Sequence, residues 1–343
     1  VDPLAGKFPV TIITGFLGSG KTTLIRRLLT HPEMNRVAVI INEIGEVGID
    51  DALVEVSTEN MKLLANGCLC CTVRTDLQET LRELFIRRRA GEIIDFSRVM
   101  IETTGLADPV PIMHSLQSDG MLEAQYRLDG VVTLVDAVNG AESLDRMIEA
   151  VRQVAVADRL VLTKTDLASD AQVAAIRSRL AAVNPGAALE LALHGELDPS
   201  LLVDVGPRSA RELNASGWLG RLVAGTSEGG YLGAQIQGQH TSNVRSFVLW
   251  FDEPFGWDAL SRTIDTLTAM RGADLLRVKG LVNVVGEPGP IVLQGAQHVF
   301  HAPVRMERWP DADHRSRLVF ITRGIGKEAI DALFRAIGML EAR

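Results

Sequence analysis

Gly15-Phe16-Leu17-Gly18-Ser19-Gly20-Lys21-Thr22 matches G-x-x-x-x-G-K-[ST] at every fixed position. The residues ahead of it, 8–14 (FPVTIIT), are apolar and β-branched and read as a buried strand. Those behind it, from Thr23 to residue 29 (TLIRRLL), have helical spacing. Strand, glycine loop and helix together form the geometry in which successive backbone N–H groups and a helix N-terminus converge on phosphate oxygens. Gly15, Gly18 and Gly20 suit such a loop, and Ser19 lies within it. Lys21 can reach β- and γ-phosphates, and the Thr22 hydroxyl can ligate Mg²⁺. The stretch implies a protein that binds a nucleoside triphosphate.

The 343 residues suffice for about two domains, and 46% hydrophobic with 23% charged content is that of a soluble globular chain. A net charge of −8 argues against a nucleic-acid partner. The compact basic run, Arg87-Arg88-Arg89, ends a predicted helix, where it is expected to complement the helix dipole and stay solvated. No apolar run reaches the roughly 18 residues of a membrane span, and no apolar signal segment opens the sequence. A reducing, cytoplasmic setting is therefore expected. The first residue is Val1 rather than Met, so residues upstream are expected to be missing.

Further predicted strands at 37–41, 98–101, 131–135 and 160–162 alternate with helical stretches at 76–89, about 141–153 and 170–183. That order predicts an α/β fold: a P-loop NTPase with a mostly parallel sheet covered by helices on both faces. Its ligand belongs at the carboxyl ends of the strands. Residues 42–51 lack periodicity and read as a loop. Around 207–242 the composition turns to Gly, Ser, Ala and Gln, the texture of a linker or loose loop. Beyond it, strands at 245–251, 275–285, 290–302 and 317–322 and helices at 257–270 and 327–340 make a small α+β domain. The expected organisation is 1–206 nucleotide domain, 207–242 linker, 243–343 C-terminal domain.

Thr163-Lys164-Thr165-Asp166, directly after a strand, matches the guanine-reading motif of GTPases, where Asn is the commoner first residue. A carboxylate at Asp166 can accept from both N1–H and the 2-amino group of guanine; adenine offers neither donor and would leave the charge unpaired. The stem of Lys164 can pack on the base. The alternative is a plain helix cap. Glu102 ends a strand where it can hold Mg²⁺ or its water, and Gly105, three residues on, suits a backbone that senses the γ-phosphate. Glu43 is a second candidate for Mg²⁺ or water positioning. No residue identifies itself as the one that orients the attacking water.

All three cysteines, Cys68, Cys70 and Cys71, fall within four residues, a spacing that cannot be an internal disulfide framework. Three soft thiolates suit Zn²⁺, Cu(I) or a related ion, with a fourth position open to an exchangeable ligand. Their place ahead of a predicted helix N-terminus favours the thiolate. Buried structural cysteines and a redox switch remain the alternatives. The seven histidines are scattered; His114 falls within the nucleotide domain.

The segments GFLGSGKTT, NEIGEVGID, NGCLCC, ETTGLADP, DGVVTLVDA and TKTD occur in this order. In that series the chain resembles the CobW-like metal-chaperone GTPases of the CobW/HypB/UreG type over essentially its whole length, C-terminal domain included. The resemblance implies slow, Mg²⁺-dependent hydrolysis of GTP to GDP and phosphate, coupled to binding of Zn²⁺ (or Co²⁺ or another transition metal) at the cysteines. It also implies kinship with the nickel-insertion GTPases of urease and hydrogenase, which dimerise around nucleotide; a metal-requiring client protein and a nucleotide-dependent homodimer are the expected partners. Two features differ from some relatives: Ile41 stands before Asn42 where they carry a metal-binding Glu, and no histidine-rich tract is present, which argues against bulk metal storage. Glu43 and Glu46 lie between phosphate loop and thiols, in the place of a switch segment, and Glu46 is a further candidate metal ligand. A nucleotide-gated metal sensor without a delivery role is the competing reading. A small-molecule kinase fits less well, because of the guanine motif and the missing Arg-rich lid.

Overall fold

The apolar run ahead of the glycine loop forms strand β1 (Phe8–Gly15), and the loop leads directly into helix α1 (Lys21–Thr30). The computed structural model describes residues 6–42, 54–58, 61–64, 69–72, 76–206 and 243–341. Glu43, Glu46 and Cys68, the expected loop at 42–51 beyond Asn42, and the expected linker at 207–242 lie outside the described residues. The chain divides into two compact units. One takes the described residues of Val1–Gly140, Ala157–Val173 and Leu189–Gly206, the other those of Ala141–Val156, Ala174–Ala188 and Pro207–Arg343.

The first unit carries β2 (Val37–Asn42), β3 (Val54–Thr58), β4 (Met61–Leu64), β5 (Leu69–Thr72), β6 (Arg98–Thr103), β7 (Tyr126–Asp136), β8 (Arg159–Thr163) and β9 (Ala188–Ala192). With β1 they form a nine-stranded sheet in the order β3-β4-β5-β2-β6-β1-β7-β8-β9. From β5 to β8 neighbouring strands are parallel, while the β3–β4 hairpin adds on antiparallel beyond β5. β1 sits between β6 and β7, and its last six residues are buried. A strand so enclosed has no solvent face, which is why its sequence is apolar and β-branched rather than alternating, with the hydroxyls of Thr11 and Thr14 hydrogen-bonded inside the sheet. Ile13, Met100, Val132, Leu134 and Val161 pack in one core cluster with Leu24, Ile25 and Leu28 of α1.

Helix α2 (Leu77–Ala90) starts at Asp76, whose carboxylate accepts from Gln78 N at 2.8 Å, and ends at Gly91 in the left-handed region (φ 73°). The basic run at its end is not uniformly solvated as expected. The Arg88 guanidinium lies over the Phe8 ring, 4.4 Å from its centroid, and donates to Phe96 O at 2.8 Å. Arg87 pairs with Glu83 and Glu92, and Arg89 is exposed. The helix ends against an aromatic group of Phe8, Phe96 and Tyr126, so cation–π contact replaces part of the hydration of Arg88. Helices α3 (Val110–Ser118) and α4 (Gly120–Gln125) were not anticipated. Pro109 stands at the N-cap of α3 and Pro111 in its first turn, where proline is well tolerated.

In the second unit lie α5 (Gly140–Arg146, from Ala141), α6 (Ile148–Val156) and most of α7 (Asp170–Val183). It is built on a six-stranded antiparallel sheet of β10 (Val244–Phe251), β11 (Leu275–Val282), β12 (Ile291–Ala296), β13 (Val299–Phe300), β14 (Val304–Arg305) and β15 (Ser316–Arg323). Phe247, Val278, Leu293 and Phe320 pack with α8 (Trp257–Arg271) and α9 (Lys327–Glu341) through Leu260, Ile264, Ile330 and Phe334. Arg277, buried on β11, donates to Val156 O, and Asn184 donates to Val154 O and Ala155 O. Together they satisfy the orphan carbonyls at the end of α6 and place a cation on its negative pole.

Candidate nucleotide site and the cysteine strand

The glycine loop is shaped by its own carbonyls. Lys21 is 5% exposed, and its Nζ donates to Gly15 O at 2.9 Å and Phe16 O at 3.3 Å, so the ammonium folds back across the loop it follows. Ser19 N donates to Phe16 O at 3.1 Å and closes the turn. Gly15 has φ +148°, and a Cβ there would stand 2.4 Å from Leu134 O and 2.7 Å from Ser19 Oγ. The chain can turn away from the sheet at this point only without a side chain.

Thr22, one residue into α1, donates through Oγ1 to Glu102 Oε1 at 3.2 Å. Glu102 lies near the end of β6 and is wholly buried. A buried carboxylate beside a hydroxyl at a phosphate loop is a set of hard oxygen donors of the kind Mg²⁺ takes. The Thr103 hydroxyl lies 2.7 Å from that of Thr14, tying β6 to β1 just below the loop. Gly105 is pressed against the loop: a Cβ there would come 2.6 Å from Leu17 Cδ2 and 2.9 Å from Leu17 Cα. The two segments read from sequence as contacting the same phosphates therefore touch. Thr23, next along α1, borders residue 195, whose added Cβ would come 2.9 Å from Thr23 Cγ2.

In the segment expected to read the base, Thr163 is the last residue of β8 and is buried. Its Oγ1 lies 2.8 Å from Ser19 O and 3.3 Å from Val135 O. One hydroxyl proton suffices to tie β8 to the glycine loop, so the asparagine commoner at this position is not required for that link. Lys164 adopts φ 57°, ψ 32°, and the one-turn helix Thr165–Leu167 that follows presents Asp166.

Two neighbours of this loop were given no role from sequence, although Asp136 lies within the segment DGVVTLVDA. Asp136, ending β7, accepts from Lys164 Nζ at 2.8 Å. His194 Nδ1 stands 3.8 Å from Asp166 Oδ2, in a two-residue turn with Gly195 (φ 52° and 79°) that joins Leu193 to Glu196. The His-Gly pair after an apolar run is a hairpin signal that could have located this turn; nothing local announces its proximity to Asp166. Burial would raise the pKa of Asp136, but the Lys164 ammonium and the Val138 and Asn139 amides outweigh it and hold the carboxyl below its ordinary value. A depressed folded-state value means the contribution is present above the unfolded value of about 3.9 and is lost as pH falls through the folded one. The gap in thermal midpoint between wild type and Asp136→Asn should thus be constant from about pH 7 to 5 and close below about pH 4. A gap that closes already between pH 7 and 6 would contradict this.

Cys70 and Cys71 precede α2 in the chain, and the structure puts them in β5, paired with Val39 and Ile40 of β2 on one side and with Lys62 and Met61 of β4 on the other. The next rank of the sheet runs Thr72, Ile41, Glu102, Ile13. At the usual strand spacing of about 4.8 Å, the cysteine strand lies roughly 10 Å from the strand of Glu102, with only β2 between. His114 is exposed on α3. Among the described residues no group of three or more His, Cys, Asp or Glu side chains is gathered to hold a metal. No helix among them is long and apolar enough to cross a membrane.

Comparison with known proteins covers both units. A family model described as CobW/HypB/UreG, nucleotide-binding domain, matches residues 9–190, and one described as the cobalamin synthesis protein cobW C-terminal domain matches residues 244–338. The zinc chaperone YjiA of Escherichia coli (strain K12) is 36% identical over 338 residues, 98% of this chain and 99% of that protein. The zinc chaperone CobW of Pseudomonas aeruginosa is 31% identical over 358 residues, 94% of this chain and 90% of that one. The crystal structure of the Zn(II)-bound YjiA GTPase from E. coli superposes with a TM-score of 0.74 at 32% identity, covering 96% of this chain and 99% of that one.

Proposed function

The chain belongs to the CobW/HypB/UreG family, and from that premise we propose that it is a GTP-hydrolysing zinc chaperone that hands its ion to a client protein. The observation that carries this reading is the sheet order, in which β2 alone separates the strand of Cys70 and Cys71 from that of Glu102. The segment leaving β2 continues in sequence into Glu43 and Glu46, so a γ-phosphate that orders it acts on the neighbourhood of both sites.

In this mechanism Lys21 exchanges its carbonyl partners for the β- and γ-phosphates of GTP. Thr22 and Glu102 hold Mg²⁺, which when bound neutralises charge on the phosphate oxygens. Water attacks the γ-phosphorus, the bond to the β–γ bridging oxygen breaks, and the charge left on GDP faces the Lys21 ammonium. Asp166 reads N1–H and the 2-amino group of guanine. Cys68, Cys70 and Cys71 supply soft thiolates suited to Zn²⁺, and to Co²⁺ in second place, with Glu46 a candidate fourth ligand.

The test is a zinc titration against a chromophoric chelator, first with GDP and then with a non-hydrolysable GTP analogue and Mg²⁺. Zinc affinity should differ by about 5- to 150-fold between the two states, with the reciprocal effect of zinc on nucleotide affinity. Cys70→Ser should abolish the difference along with tight zinc binding. Equal zinc affinities would remove the gated-chaperone mechanism and leave two independent sites on one protein. A shift in affinity with no faster zinc release on hydrolysis would identify a sensor instead.

A further inference from the structure

β7 and β8 end side by side, and the last residue of β7 is spent on a residue that follows β8. The Asp136 side chain is 8% exposed, and its Oδ2 accepts from Lys164 Nζ at 2.8 Å. The same carboxylate accepts from Val138 N at 2.7 Å, Asn139 N at 3.2 Å and the Asn139 amide at 3.2 Å. Ala137 N donates to Thr163 O at 2.9 Å, so the two strand ends are also joined through the backbone. Lys164 meanwhile holds a left-handed backbone, which an L side chain adopts only under compulsion from its surroundings. Its carbonyl accepts from Leu167 N at 3.1 Å and closes the single turn that carries Asp166.

From these contacts we propose that Asp136 is a positioning residue for base recognition, fixing the Lys164 ammonium so that the lysine stem stands as a ready-made wall for a 2-amino-6-oxopurine nucleotide. The inference rests on the guanine reading of Thr163–Asp166 and deepens it. A free lysine has a flexible four-carbon stem, and ordering it on ligand binding costs affinity. Pinned at both ends, by its strained backbone and by Asp136, it is ordered before the base arrives. The pin also holds the turn from which Asp166 reaches the base edge. Asp136 touches the base only through Lys164, so its effect falls on binding rather than on the chemical step.

The competing role for Asp136 is merely structural, as a cap for the turn 136–139. Asp136→Asn separates the two, since its amide oxygen can still accept from Val138 N and Asn139 N while the ion pair is lost. GDP affinity should be measured by calorimetry on the full chain for wild type, Asp136→Asn, Lys164→Met and the double variant. Asp136→Asn should weaken GDP about tenfold, raise KM for GTP rather than lower kcat, and add nothing in the Lys164→Met background. Asp136→Glu, which restores the charge, should recover most of the affinity. Losses that multiply in the double variant, or a single variant within twofold of wild type, would overturn the inference. Should Asp136→Asn fail to fold, Lys164→Met and Asp136→Glu decide it alone: wild-type GDP affinity in Lys164→Met overturns it. Asp166→Asn tests the underlying reading by a different readout, the preference for GDP over inosine diphosphate, which lacks the 2-amino group. An unchanged preference there sinks the guanine assignment and this inference with it. A lowered preference with independent Asp136 and Lys164 sinks the inference alone.

Discussion

Lys21→Ala leaves a protein that releases phosphate from GTP at least about 10²- to 10³-fold more slowly than wild type, the usual loss when a fixed donor to developing charge is removed. The argument begins with the loop rather than with the ligand. Lys21 is held against Gly15 O and Phe16 O, so its ammonium already lies inside the turn that will receive the phosphates. Moving from carbonyl dipoles to phosphate oxygens exchanges weak partners for strong ones, and the charge that forms on the leaving GDP strengthens the exchange further. Alanine removes the cation and leaves two loop carbonyls without this donor, so the loop loosens as well. Lys21→Arg should not rescue, because the planar fork is too broad for a space shaped around a point charge. The measurement is phosphate release at saturating GTP with far-ultraviolet circular dichroism as the fold control. Undiminished turnover would place the active site elsewhere.

Gly15→Ala should abolish GDP binding and lower stability by about 3 kcal/mol, from overpacking and backbone strain together. The added carbon would meet Leu134 O at 2.4 Å, and that oxygen belongs to β7, whose Leu134 is paired in register with Gly15. Neither side can yield, since β1 and β7 are paired along the length of β1 in the middle of the sheet. Gly18→Ala is the matched control. Its φ is +73°, but a Cβ there meets nothing within 4 Å, so only the conformational cost of about 1–2 kcal/mol applies. Chemical denaturation of the two variants side by side, with GDP titrations, checks the pair. Equal losses in both would mean that crowding at Gly15 is not what the loop depends on.

How the remaining residues divide follows from the range of the forces that place them. The phosphate loop, β1 and α1 were legible because their signals are local: a glycine at a turn, an apolar and β-branched run, helical spacing after it. The start of α2 at Asp76 and the main strands and helices of the C-terminal region were legible for the same reason. Glu102 could be placed beside the glycine loop, where it meets Thr22, because parallel α/β sheets collect their functional groups at strand ends, a rule that needs only the order of elements.

What the chain order does not encode is which strands become neighbours. Cys70 and Cys71 were placed from sequence only as lying ahead of a helix, and pairing with β2 and β4 makes them a strand. That pairing sets them two strands from Glu102 and makes coupling between thiols and nucleotide physically possible. Arg88 became an aromatic contact, and Asp136 found Lys164 28 residues away, for the same reason. Backbone propensity and hydrophobic period act over a few residues, so they determine elements, caps and the phosphate loop from sequence by themselves. Strand order and side-chain partners come from burying many such elements at once, and those only the tertiary structure decided.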